Sequence, residues 1–336
     1  MQNTACLSPE RIGPLKAPRV RRGSAIAHHG EILQGVFEEP DGHLRRGLVS
    51  LICKLFKSEA IFYPDSSGVV SVDPVWRVKA RQAAQLTLLY LGRGEVGGRL
   101  QIRSNVPTAW GLGSSTSDVT AAIRAVASAL SVSLLAESIA VLAVKAELAS
   151  DPLMFGNRAV LFGHKGGAVI EDFRGPLPQI EVLGFNTDPT ENGIDTLRFP
   201  PARYSWREIE TFRPLVGLMR KAVYTQDPRL VGRVASASAR INQRHLPTRR
   251  FQDLERLVEK VGALGLQVAH SGTVVGLLFD PADASLQQRI ECARALIAEM
   301  GFGPIWGFRA GSNNEVLQCE SAESVDQLPR PSNSPG

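Results

Sequence analysis

The chain has 336 residues, 43% of them hydrophobic, enough for one large domain or two of about 150 residues each. Its net charge of +5 is diffuse, and the densest basic groups, RVRRG and TRR, lack interleaved aromatics, which argues against a nucleic-acid partner. Cys6, Cys53, Cys292 and Cys319 form no CxxC pair, no apolar run reaches membrane-span length, and the first residues contain no signal-like apolar core. Structural zinc, a disulfide framework, a membrane span and secretion are thus not expected, and a cytoplasmic protein is.

Residues 1–20 are polar and proline-punctuated and read as a flexible lead. AHHGEILQG (27–35) follows. His28 and His29, adjacent in a strand, point to opposite faces, and HHGE is not the HExxH pattern of zinc proteases, so no metal is expected there. Glu31, a carboxylate beside a glycine turn, either lines a pocket or is a solvated turn residue. GLVSLICKLFKSEAIFY supplies strands and RQAAQLTLLYL a helix. RLQIRSNV then alternates Leu100, Ile102, Ser104 and Val106 with the period of a strand.

PTAWGLGSSTSDV (107–119) comes next, followed by apolar residues at Val119, Ile123, Val126 and Leu130, a helical stripe. Gly111 and Gly113 tolerate positive φ and close approach, and Ser114 and Ser115 are good helix caps. Strand, glycine turn and helix N-terminus together aim N–H groups at one point that suits a phosphate. Neither the Walker pattern nor the six-residue dinucleotide fingerprint is present.

LLAESIAVLAVKAELAS reads as a helix that carries Glu147 on its last turn and ends near Ser150, because Asp151 precedes Pro152 and is pushed away from helical geometry. Two carboxylates near an anion site suit a magnesium ion and a substrate hydroxyl, although an isolated Asp-Pro more often caps the next turn. RAVLFGHKGGAVIEDF reads as two strands joined by a Gly-Gly turn, and the polar stretch 186–202 as a domain boundary. Helices are expected around 205–225, 228–243 and 250–264. A strand pair, GLQVAHSGTVVGLLFD, follows, with a polar turn that is either an anion nest or an ordinary hairpin. A helix near 284–299, a last strand in IWGFRAG and a disordered tail over 326–336 complete the chain. Neither HSG nor GSS forms the G-x-S-x-G elbow of hydrolases.

In this order the motifs resemble the GHMP kinase superfamily, whose second motif, Pro-x-x-x-Gly-Leu-Gly-Ser-Ser, Pro107 to Ser115 fits without gaps. GEILQG, SSTSD and AHSGTVVGLLF resemble more narrowly its L-threonine kinase branch, which serves propanediol-utilisation and cobalamin pathways. The resemblance implies an α+β, two-domain fold: a ribosomal protein S5 domain 2-like N-terminal domain (21–186) and a ferredoxin-like C-terminal domain (203–320). It implies ATP and Mg2+ as cofactors and a small hydroxylated acceptor, L-threonine or a related hydroxy amino acid, and it admits a homodimer. Gly111, Leu112, Gly113, Ser114, Ser115 and Thr116, opened by Pro107, would cradle the triphosphate. Ser115 and Glu147 would hold magnesium, and Asp151 would be the functional carboxylate. Glu31 and His29 would sit at the acceptor pocket, with Ser271, Gly272 and Thr273 closing over it. Ala27, His28 and His29 stand where the branch commonly has Gly-Thr-Cys, and no motif-one lysine is close by. Another small alcohol as acceptor, or a nucleotide-binding regulator that has lost transfer, are the rival readings; a binding-only relative has no need of Asp151.

Overall fold

Two long antiparallel strands, β1 (Arg21–Glu38) and β2 (Leu44–Asp65), form the spine of the molecule. The computed structural model describes residues 17–39, 41–188, 202–270 and 273–311, so most of the expected lead, the tail and most of the stretch 186–202 lie outside the described residues. From Ala27 to Phe37 every residue of β1 is buried. The strand is sandwiched: α2 (Ser114–Ala129) packs on it early, α4 (Trp206–Thr225) and α5 (Pro228–Asn242) later. A strand covered on both sides reads as a nearly continuous apolar run rather than an alternation.

β3 (Val70–Asp73), α1 (Val78–Tyr90) and β4 (Gly97–Ser104) form a βαβ unit with β3 parallel to β4, and β4 pairs antiparallel with β2. α2 and α3 (Ala136–Glu147) cover this half, and β5 (Arg158–Gly163) and β6 (Ala168–Pro176) form the expected hairpin at its side. Two features differ from expectation. The cap of α2 is Gly113 in the left-handed region, so Ser114 and Ser115 lie inside the first turn. α3 stops at Glu147, three residues early, because Leu148 takes φ +69°.

The second half contains α4, α5, α6 (Phe251–Val261) and α7 (Leu286–Glu299), near where the sequence places them, except that α6 ends three residues short of 264 at the αL turn of Gly262. Ser205 and Glu208 cap α4 reciprocally, and Asp227 followed by Pro228 opens α5. Its strands are β7 (Ile180–Asn186), β8 (Gly265–Val268), β9 (Val274–Phe279) and β10 (Ile305–Ala310), in the spatial order β10-β7-β9-β8. Taken as strands one to four, this order is 4-1-3-2, the arrangement of a ferredoxin-like sheet. β7 lies on the N-terminal side of the boundary expected at 186, yet it hydrogen-bonds to β9 and β10. The sheet therefore divides before β7.

β1 joins the halves. Glu31 pairs with Val268 of β8, making one ten-stranded sheet, and a core cluster runs across the join through Phe37, Leu51, Trp110, Val182, Phe212 and Trp306. No helix among the described residues is long and apolar enough to cross a membrane. Cys53 and Cys292 are unpaired.

Candidate active site

The glycine turn before α2 has the backbone that its composition calls for. Gly111 and Gly113 take φ +79° and +74°. No side chain caps the helix, and the first-turn N–H groups of Ser114, Ser115 and Thr116 have no acceptor within the helix. The loop is anchored from both sides. Leu112 is buried and its carbonyl accepts the N–H of His28 at 3.3 Å. Trp110 stacks on Trp306 of β10 with ring centroids 5.9 Å apart. α2 itself is held by Asp118, which accepts from Ser58 Oγ at 2.6 Å and pairs with Arg77.

Two carboxylates face the first turn of α2. Glu147 is buried; Ser115 Oγ donates to its Oε2 at 2.7 Å and Thr116 Oγ1 to its Oε1 at 2.9 Å. Burial and the nearby Asp151 charge push its carboxyl up to about 7, against the pull of these hydroxyls. Only hydroxyls offset a buried negative charge here, so oxygen ligands and charge both fit a hard divalent cation such as Mg2+. Asp151 takes the extended conformation required before Pro152, which opens a 3₁₀ turn (Pro152–Phe155), but its side chain makes no cap bond. Instead its Oδ2 lies 3.2 Å from His28 Nε2 and 3.2 Å from Thr116 Oγ1.

His28 and Glu31 reach this point because β1 is irregular. In a regular strand residues three apart face opposite ways. The register of β1 against β2 shifts between His28 and Glu31, where Gly30 takes φ +97°, and the bulge turns Glu31 onto the His28 face. His28 Nδ1 accepts the Gly30 N–H at 2.9 Å and lies 3.5 Å from Glu31 Oε1; Glu31 Oε2 accepts from Ser50 Oγ at 2.7 Å. Burial alone would lower the His28 imidazole, but Asp151 and Glu31 more than offset it and raise it to about 9. The reverse holds for Asp151: burial would raise it, and His28, with weaker help from His270 and His164, holds it below the usual carboxylate range. Glu31 is raised, chiefly by burial.

His164 and His270 stand beside Asp151. The His164 carbonyl accepts the N–H of Ser150, its ring centroid is 5.9 Å from that of His270, and its Nδ1 is buried without a partner. His270 Nδ1 donates to Gln34 Oε1 at 2.6 Å. The Gln34 backbone is tied in turn to Ser238 and Asn242 of α5. Burial lowers both imidazoles, His164 to about 3.

Glycine loop, Ser115, Thr116, Glu147, Asp151 and Glu31 thus come together. His29 does not join them. It faces the other side of β1, its Nδ1 accepts from Gln267 Nε2 at 2.6 Å, and its ring packs against Trp306 and Phe308. Thr273 is bound through its carbonyl to Thr187, while Ser271 and Gly272 lie outside the described residues. The sequence motifs give no sign of His164, and they present His28 as a metal ligand or as a departure from Gly-Thr-Cys, not as a partner of Asp151. The one local hint, a histidine in the turn FGHKGG, acquires meaning only when that turn folds against Asp151.

A helix N-terminus with free N–H groups facing paired carboxylates, beside a ferredoxin-like sheet, is an arrangement that suits phosphoryl chemistry. The comparisons agree. The GHMP kinases N terminal domain matches residues 78–155 and the GHMP kinases C terminal domain residues 219–294. The chain carries both domains and belongs to the GHMP kinase superfamily. It is 35% identical to the L-threonine kinase of Salmonella typhimurium over 182 residues, 54% of this chain and 60% of that one. The match thus spans less than two thirds of that relative. Among solved structures it resembles homoserine kinase from Cytophaga hutchinsonii, with TM-score 0.66 and 14% identity over 90% of this chain and 96% of that one. It also resembles the structure described as MDDEF in complex with MVAPP, AMPPCP and magnesium, with TM-score 0.56 and 16% identity over 88% and 99% of the two chains.

Proposed function

We propose that the protein is an ATP-dependent, magnesium-requiring kinase that phosphorylates the hydroxyl of a small acceptor, a hydroxy amino acid of the L-threonine type. The observation that carries this reading is Asp151: a carboxylate held ionised beside the phosphate-type helix end and free of any capping duty. The L-threonine kinase relative and the neighbour bound to AMPPCP and magnesium support the same chemistry.

In this mechanism the N–H groups of the loop and first turn, residues 111–116, hold the triphosphate. Ser115 and Glu147 would hold Mg2+, which would neutralise charge on the transferring phosphoryl group. The acceptor oxygen gives its proton to Asp151 and attacks the γ-phosphorus, and the bond to the leaving ADP oxygen breaks. His164, beside Asp151 and with its Nδ1 buried without a partner, would receive an acceptor carboxylate.

An ADP-release assay with Mg2+ and ATP over L-threonine, L-serine, L-homoserine and neutral small alcohols tests the reading. Turnover is expected with a hydroxy amino acid. Tight ATP binding without ADP release on any acceptor would favour the regulator instead.

A further inference from the structure

The roles given above to the helix end, Ser115 and Glu147 leave the three-member line Asp151–His28–Glu31 without a task. It is built, not incidental. His28 is 3% exposed and Glu31 2%, so an imidazole and a carboxylate have been withdrawn from water together. The strand is bulged at Gly30 to put both on one face, and the Gly30 N–H fixes the ring through Nδ1. Even the phosphate loop makes room: Gly113 lies against the His28 ring, where any Cβ would collide with it. Such a cost in buried polarity is tolerated where the group sets the protonation or orientation of a reacting one.

We propose that His28 is the positioning residue of the transfer, holding the Asp151 carboxylate ionised and turned toward the acceptor, with Glu31 behind it as its counter-charge. The proposal rests on the reading of Asp151 as the base. His28 and Thr116 both meet Oδ2, so Oδ1 is the oxygen offered to the acceptor hydroxyl. In the step, the hydroxyl proton passes to Asp151 as the oxygen–phosphorus bond forms, and returns to solvent once the product leaves. His28 makes and breaks no bond. With Nδ1 accepting from Gly30, the ring carries its proton on Nε2 and donates it to Asp151. A second proton on Nδ1 would face Glu31 Oε1, 3.5 Å away, and make His28 a cation. Either form favours an ionised Asp151.

The groups that face this line are few. Around Asp151 stand, among the described residues, His28, His164, His270, Thr116 and the Glu31 and Glu147 carboxylates. Around His28 stand Asp151, Glu31 and, more weakly, His29 and His270. Lys165 and Arg46 act on His164 and His270. The same three ligand atoms of His28, Glu31 and Asp151 lie within 4.8 Å of one another, a spacing that would also suit a metal. The inference differs in making the His28 imidazole the chief positive partner of Asp151.

Two variants and one titration test it. His28→Leu removes the donor, whereas His28→Gln replaces Nε2 with an amide N–H at similar reach. At saturating Mg2+ and ATP, His28→Leu is expected to lose about 10- to 100-fold in kcat with KM for ATP nearly unchanged. Its acid limb should move up by about 1 to 3 pH units, the size of the effect of an adjacent cation on a carboxylate. His28→Gln is expected to recover most of kcat. Imidazole 15N NMR needs no turnover: the His28 midpoint should fall in Asp151→Asn relative to the parent protein. An unchanged midpoint, an unshifted acid limb in His28→Leu, equal damage in both variants, or a stoichiometric metal lost with His28 would each overturn the inference. Absence of any kinase turnover in the parent protein would instead overturn the functional reading, and the NMR arm would still decide the His28–Asp151 pairing.

Discussion

Gly113 has no room for a side chain. Its φ of +74° is strained for any L-residue, and a Cβ there would collide with His28 Cδ2 and lie 2.7 Å from Nε2 and 3.3 Å from Asp151 Oδ2. Gly113→Val is therefore expected to fail twice, blocking phosphate at the helix end and pushing His28 off Asp151. ATP binding should be abolished, while the secondary structure read by circular dichroism stays near that of the parent. Normal ATP affinity in the folded variant would contradict the phosphate-loop assignment. Around this glycine the residue types were readable, because an αL turn, a helix start and a proline-preceded loop are local demands. The partners were not. Period-2 alternation puts Glu31 opposite His28, and only the bulge at Gly30, set by pairing with β2, reverses it. By the same rule His29 faces away from His28, as expected, and that removes it from the acceptor side.

At the scale of elements, the position of α2 depends on Gly23. A Cβ there would collide with the backbone of Ala121 and Ala125, so the helix lies directly on β1. Gly23→Ala must lift α2, at the cost of overpacking, about 1 to 3 kcal/mol. The urea midpoint should fall while the slope stays unchanged, and because the loop moves with the helix, ATP affinity should fall too. An unchanged midpoint would mean that the contact is looser than described. α2 was legible because glycine turn and apolar stripe adjoin in sequence. The end of α3 was misjudged by three residues: the restriction before Pro152 locates a limit, whereas the αL turn at Leu148 is imposed by the loop returning to the site. β1, buried on both faces, offers no alternation to read.

At the scale of the whole molecule, the two halves meet where the chemistry is proposed. β1 pairs with β2 on one side and with β8 at Glu31 on the other, and the Trp110–Trp306 stack ties the glycine loop to β10. The interleaved strands and helices, and the family motifs, were enough to anticipate two domains. The placement of β7 was not, since it follows the N-terminal hairpin closely in sequence but finds its partners, β9 and β10, about 90 and 120 residues later in the chain. The site is thus assembled from segments near residues 28, 113, 147, 151, 164 and 270, and its central claim is that Asp151 serves the reaction rather than the fold. Steady-state kinetics and thermal melting of Asp151→Asn, measured together, test this most directly. If Asp151 receives the acceptor proton, kcat should fall about 10²- to 10⁴-fold, or roughly 3 to 5 kcal/mol of barrier, with ATP binding kept. Near-normal kcat with a stability loss of about 1 kcal/mol, the signature of a lost cap, would contradict the account.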